Sequence, residues 1–132
     1  DGEFIELDPE GQTIVEGVYE DDLRMGFWTI EVNGYIEKGE FLLGEKDGEW
    51  IHQYPDGTTQ FKGEYSFGQP VGRHRSWYPN GAVEWDGSYE NGTQHKKWRL
   101  YDEEGFLQHE YFYKYGKLHK VDGSKVDKRR DG

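Results

Sequence analysis

Residues 48–72 read GEWIHQYPDGTTQFKGEYSFGQPVG, and they hold one complete structural unit. Trp50 follows Gly48 by two positions; Tyr54-Pro55-Asp56-Gly57 then reads as a tight turn. Pro presets φ for the turn, and Gly accepts the left-handed conformation that closes it. Gly63-Glu64-Tyr65 opens a return segment, and a second turn falls near Gly68. The stretch therefore reads strand, turn, strand, turn.

The same word recurs in both directions. Gly2, Gly26, Gly48 and Gly72 start equivalent segments, and Lys96 and Lys120 continue them, in steps of 24, 22, 24, 24 and 24 residues. The leading ring is Phe4, Trp28, Trp50 and Trp98, with His74 as the exception. Further turns stand at Asp8-Pro9-Glu10-Gly11, Tyr78-Pro79-Asn80-Gly81 and Asp102-Glu103-Glu104-Gly105, and second turns near Gly44, Gly92 and Gly116. The pattern predicts an all-β fold over residues 1–120: a single-layer antiparallel meander of five tandem hairpins. Its units lie near 2–25, 26–47, 48–71, 72–95 and 96–119. Residues 121–132 are polar and charged and read as a flexible tail.

The short second unit loses its two residues at Val32-Asn33-Gly34-Tyr35, where Asn-Gly suits a two-residue hairpin loop. An even deletion keeps every side chain on its own face. With Val32 facing Tyr35, Trp28 lies opposite Gly39; the longer loops likewise set Trp50 opposite Gly63 and Phe4 opposite Gly17. The expectation is that each leading ring covers the glycine on the return strand of its own hairpin. Tyr111 replaces that glycine in the last unit, as terminal repeats often depart from the rest. One face then gathers rings and aliphatics, among them Leu43, Tyr54, Phe67, Tyr78, Trp85 and Tyr115. The other is polar, with Lys38, Lys62, Arg75, Asp86 and Arg99.

Composition agrees with a thin β-structure. Mean hydropathy is −1.09, yet aromatics make up 17% of the chain, which separates it from acidic disordered sequences. The net charge of −11 is uneven: residues 1–66 carry 17 acids against 4 bases, and residues 67–132 carry 10 against 12. The acidic half repels nucleic acid and anionic lipid and would steer a basic partner. With no cysteine there is neither a disulfide framework nor a thiolate metal site. No run reads as a targeting or membrane-spanning segment. The chain opens on Asp1 without an initiator Met, as expected of a processed or excised piece.

The pattern Gly-x-Trp-x3-Tyr-x2-Gly followed by Gly-x-Tyr-x2-Gly, clearest over 48–72 and 72–96, resembles the bacterial variant of the MORN repeat. The resemblance spans roughly residues 2–120, with Phe4, His74 and Tyr111 as departures. It implies consecutive hairpins curved into a groove and a non-enzymatic role in protein–protein contacts. Proteins similar to it include antitoxin or immunity partners of bacterial toxins, and others belong to exported or envelope-associated assemblies. Either a cytoplasmic or an envelope location fits. The eukaryotic repeat's association with membrane lipid suits this acidic chain poorly.

Candidate contacts on the ring face are Tyr54, Tyr78 and Trp85; Trp77, beside Arg75 and Asp86 on the polar face, is a second kind of candidate. The five histidines follow the repeat rather than metal-ligand spacing, so no metal or other cofactor is expected. Asp21/Asp22 and Glu103/Glu104 fall on turns, where solvated charge is the ordinary reading, and no nucleophile or phosphate motif appears. The expected function is therefore a protein-binding or scaffold module that covers a basic surface, without catalysis. A carbohydrate-binding module using Trp and Tyr platforms, or a structural spacer, is the alternative.

Overall fold

A computed structural model describes residues 2–7 and 13–125, with side chains from Glu16 onward. The turn at Asp8–Gly11 and residues 126–132 lie outside the described residues. The twelve strands are β1 (Gly2–Leu7), β2 (Thr13–Glu20), β3 (Leu23–Val32), β4 (Tyr35–Leu42), β5 (Glu45–Gln53) and β6 (Thr59–Ser66) in the first half. They continue as β7 (Gln69–Trp77), β8 (Val83–Glu90), β9 (Thr93–Tyr101), β10 (Leu107–Lys114), β11 (Lys117–Val121) and β12 (Ser124–Lys125). All pair antiparallel with their sequence neighbours in one open sheet. The single-layer hairpin meander is thus the observed fold. Pairing runs further than the repeat suggested, because Val121 pairs with Ser124 around an Asp122-Gly123 turn.

Loop chemistry sets the register. Val32 pairs with Tyr35, Trp28 with Gly39, Trp50 with Gly63 and Phe4 with Gly17, as the loop lengths require. The short turns place both central residues at positive φ, for example Asn33 at 51° and Gly34 at 87°, the mirror-image geometry that matches strand twist. Leu43, Phe67 and Tyr115 take the first of these positions at φ near 50°. They are correspondingly 64%, 75% and 87% exposed, so they are turn-tip residues and not members of the ring face.

One expectation needs correcting. Trp28, Trp50 and His74 do not cover the glycine of their own hairpin; the Phe4 side chain lies outside the described residues. A Cβ on Gly17 would strike Trp28, on Gly39 it would strike Trp50, on Gly63 His74, and on Gly87 Trp98. Each ring therefore lies back over the preceding strand. The cause is a bulge: Gly17, Gly39, Gly63 and Gly87 each face three residues of the next strand instead of one. The first of those three, Gly26, Gly48, Gly72 or Lys96, is left-handed. That kink turns the third residue, the ring, backward over the bare glycine. Once there, the ring N–H donates to the carbonyl ten residues earlier: Trp28 to Val18 at 3.2 Å, Trp50 to Glu40 at 3.0 Å, His74 to Glu64 at 2.9 Å and Trp98 to Ser88 at 3.0 Å. A carbonyl only accepts, so His74 carries its hydrogen on Nε2.

These stacked rings are the core. Trp28 and Trp50 are fully buried, and Phe41, Trp98 and His74 nearly so. Edge-to-face contacts link successive layers: Tyr19–Trp28 at 5.1 Å, Phe41–Trp50 at 4.9 Å, Tyr65–His74 at 5.4 Å and Tyr89–Trp98 at 5.0 Å. Offset or perpendicular pairs of this kind add to the area they bury. A single layer can thus seal large rings, because the covering surface is the glycine backbone itself.

Candidate functional site

The ring face opens in more than one place, at Ile30, Tyr35, Glu37 and His52 and again around β6–β9. The second is a cleft of about 280 Å³ bordered by Phe61, Arg75, Ser76, Trp85, Tyr89, Gln94 and Trp98, with His74 beside it. Cross-strand pairing explains its shape. Phe61, Ser76 and Trp85 are successive partners on β6, β7 and β8, so a hydroxyl stands between two aromatic side chains. The equivalent positions of Ser76 in the other units are Glu6, Ile30, His52 and Leu100, all larger. His74 is likewise the one imidazole among Trp28, Trp50 and Trp98. Two truncations side by side leave the space.

The Ser76 hydroxyl and the His74 ring at the cleft are engaged. Ser76 Oγ donates to Glu84 Oε1 at 3.1 Å and accepts from the Trp85 amide at 3.2 Å. Burial pushes the His74 imidazole below its ordinary pKa, which keeps the ring neutral. Trp85 leans on Trp98 at 6.4 Å and Tyr111 at 5.8 Å, and remains partly exposed.

The other predicted contacts fare differently. Tyr54 and Tyr78 stand on the long loops, and each hydroxyl donates to a backbone carbonyl 23 residues on: Tyr54 to Trp77 at 2.6 Å and Tyr78 to Tyr101 at 2.7 Å. Their observed task is to clamp one loop to the next unit, and the cleft does not include them. Burial raises both phenol pKa values, so the donors stay protonated. Trp77 lies on the polar face as expected, with the Arg75 guanidinium 5.2 Å above its ring, and it is partly buried. Trp85 alone of the four borders the cleft.

Sequence reading missed a second polar cluster on the ring face. Glu37 pairs across the sheet with His52. Its carboxylate meets Lys46 Nζ at 2.9 Å and stands 3.6 Å from His52 Nε2, an attraction too long for a good hydrogen bond. His52 and Lys46 hold Glu37 down to about 2 from an ordinary 4.5. Lys46 also lies 4.7 Å over the Trp50 ring and 5.2 Å over Tyr65. Arg24 repeats the arrangement one unit earlier, 5.0 Å over Trp28 and 5.3 Å over Phe41. The signal was present in the sequence as a basic residue four positions before each of the first two tryptophans.

On the opposite face Arg73 grips Asp86 through two bonds, of 3.0 and 2.7 Å, and Arg99 meets Glu110 at 2.9 Å. Among the described residues no group of three or more His, Asp or Glu side chains is placed to hold a metal ion. No protein-family model matches the chain, and no curated protein sequence matches it.

Proposed function

We propose that this chain is a non-enzymatic protein-binding module of the MORN type, a rigid hairpin array that masks a basic surface of a protein partner, as an antitoxin or immunity protein does. The observation that carries the reading is the aromatic cleft at Trp85. Trp28 and Trp50 are closed over by their own neighbours, while here the partly exposed Trp85 and Tyr89 border a void together with Trp98. Open aromatic surface of that kind suits a binding hot spot, since rings bury large area at little entropic cost. The excess of acids over bases in residues 1–66 supplies long-range attraction for a basic partner, which sets association rate and partner choice.

The test is complex formation by Trp85→Leu, which keeps apolar contact with Trp98 and Tyr111 but removes the platform. Mixed with the protein partner recovered from the source at low salt, wild type forms a salt-sensitive complex, and Trp85→Leu weakens it at least ~10-fold, the order expected of one interface anchor. Equal binding by both proteins, or binding to glycans with no protein partner, defeats the proposal.

A further inference from the structure

The chain shows what its open cleft is shaped to hold, because an earlier unit has the same place filled. In that unit Lys46 lies over Trp50 and is tied to Glu37 at 2.9 Å, while Phe41 meets Trp50 edge-on at 4.9 Å and 76°. A step of 48 residues takes Lys46 to Gln94, Trp50 to Trp98, Glu37 to Trp85 and Phe41 to Tyr89. The scaffold survives the step: Tyr89 meets Trp98 at 5.0 Å and 83°, and the Trp98 N–H keeps its carbonyl partner. The contents do not survive it. The cation has become a neutral amide and its carboxylate anchor has become an indole. What remains is the cleft of about 280 Å³, lined by the four residues Gln94, Trp98, Trp85 and Tyr89 together with Phe61, His74, Ser76 and Arg75, whose guanidinium lies over Trp77. Exposure follows the same division. Trp28 and Trp50, which carry Arg24 and Lys46, are 0% exposed, whereas Trp98 is 7% and His74 5%.

The geometry points to a binding site for a partner's arginine: the guanidinium enters where Lys46 sits two units earlier, against the faces of Trp98, Trp85 and Tyr89. A guanidinium fits better than an ammonium because the anchoring carboxylate is gone. The site must hold the cation by ring faces alone, and the planar, weakly hydrated group stacks on rings at lower desolvation cost. One acidic group stands near: Glu84, which accepts from the Ser76 hydroxyl that lines the cleft, has no ion-pair partner among the described residues. This assignment rests on the binding-module reading and names the chemistry that the partner brings.

The experiment uses a capped peptide of alternating arginine and glycine, its citrulline counterpart as the uncharged isostere, and the indole N–H signals of the five tryptophans. In wild type at low salt the arginine peptide shifts Trp98 and Trp85 saturably and leaves Trp28 and Trp50 in place, while the citrulline peptide shifts none. Gln94→Lys, which installs the chain's own plug, weakens the effect at least ~10-fold, the scale of losing one desolvated cation–π contact. Gln94→Ala, with the cleft left open, binds as wild type does. Unchanged binding by Gln94→Lys, equal shifts at Trp28 and Trp50, or the absence of a saturable shift at Trp98 would overturn the assignment. The two readings also fail separately. A protein complex that needs Trp85 but tolerates Gln94→Lys keeps the module and removes the arginine site. Peptide binding at Trp98 without any Trp85-dependent complex does the reverse.

Discussion

Gly39→Ala tests the ring-over-glycine layer most sharply, because the backbone there permits alanine and only the ring forbids it. Gly39 has no positive φ, yet a Cβ at this position would lie 2.4, 2.5 and 2.6 Å from Cδ2, Cε2 and Cγ of Trp50. Ordinary carbon contact needs a retreat of about 1 Å. The indole has no room to retreat, being fully buried, held by its N–H to Glu40 and pressed by Phe41 at 4.9 Å. Overpacking costs about 1–3 kcal/mol, and an indole N–H pulled from its carbonyl about 1–3 more. Alanine returns about 0.5–1 by restricting the unfolded chain, for a net loss of about 1–5.5 kcal/mol, centred on about 3. For a chain of this size that lowers Tm by about 10 °C. Urea unfolding followed by tryptophan fluorescence measures the loss, with Gly81→Ala as comparison. Gly81 has φ +91° and open space around its would-be Cβ, so alanine there pays backbone strain alone, about 1–2 kcal/mol. A double-mutant cycle names the ring: the cost of Gly39→Ala shrinks on a Trp50→Ala background and persists on Trp28→Ala. Coupling to Trp28 instead, or stability equal to wild type, refutes the reasoning.

Other outcomes follow from the same contacts. The neutral His74 ring means the unfolded chain binds its proton more readily, so stability is full above about pH 6.5 and is lost as pH falls through the lower folded value; His74→Trp should abolish that slope and raise stability by about 1 kcal/mol as the indole fills part of the cleft, both read from urea midpoints across pH. Tyr54→Phe and Tyr78→Phe should each lower the thermal midpoint by removing a loop clamp, with partner binding unchanged. Leu43→Asn and Phe67→Asn should each raise stability by about 0.5–1 kcal/mol, since asparagine tolerates φ near 50° better than a branched or aromatic residue does.

Most of the fold was legible because hairpin loops are a ruler. The Asn33-Gly34 turn fixes Val32 against Tyr35, and every later pair in that hairpin follows from counting. Counting did not say which neighbour a ring leans toward, since each strand has two. The answer lay in a spacing: Gly17–Trp28, Gly39–Trp50, Gly63–His74 and Gly87–Trp98 are all 11 apart. The interval from ring to following glycine varies, 11 after Trp28 but 13 after Trp50 and His74. The constant interval runs through the two-residue turns and marks the contact that every unit must keep. Leu43, Phe67 and Tyr115 were misassigned to the ring face because an apolar residue at a left-handed turn position goes against its own preference. Tyr54 and Tyr78 looked like platforms because the carbonyls they bind belong to the next unit, 23 residues away. Trp85 was found as a ring near the middle of the array. The cleft beside it was not, since it arises from what Ser76, His74 and Gln94 lack.

The most direct measurement is the set of proton–proton contacts between indole rings and glycine Hα atoms in solution. Trp28 should contact Gly17, Trp50 should contact Gly39 and Trp98 should contact Gly87, with those Hα signals moved upfield by the ring faces. Contacts from Trp28 to Gly39 and from Trp50 to Gly63, with Gly17 and Gly87 unshifted, would contradict the backward-leaning rings on which the whole array depends.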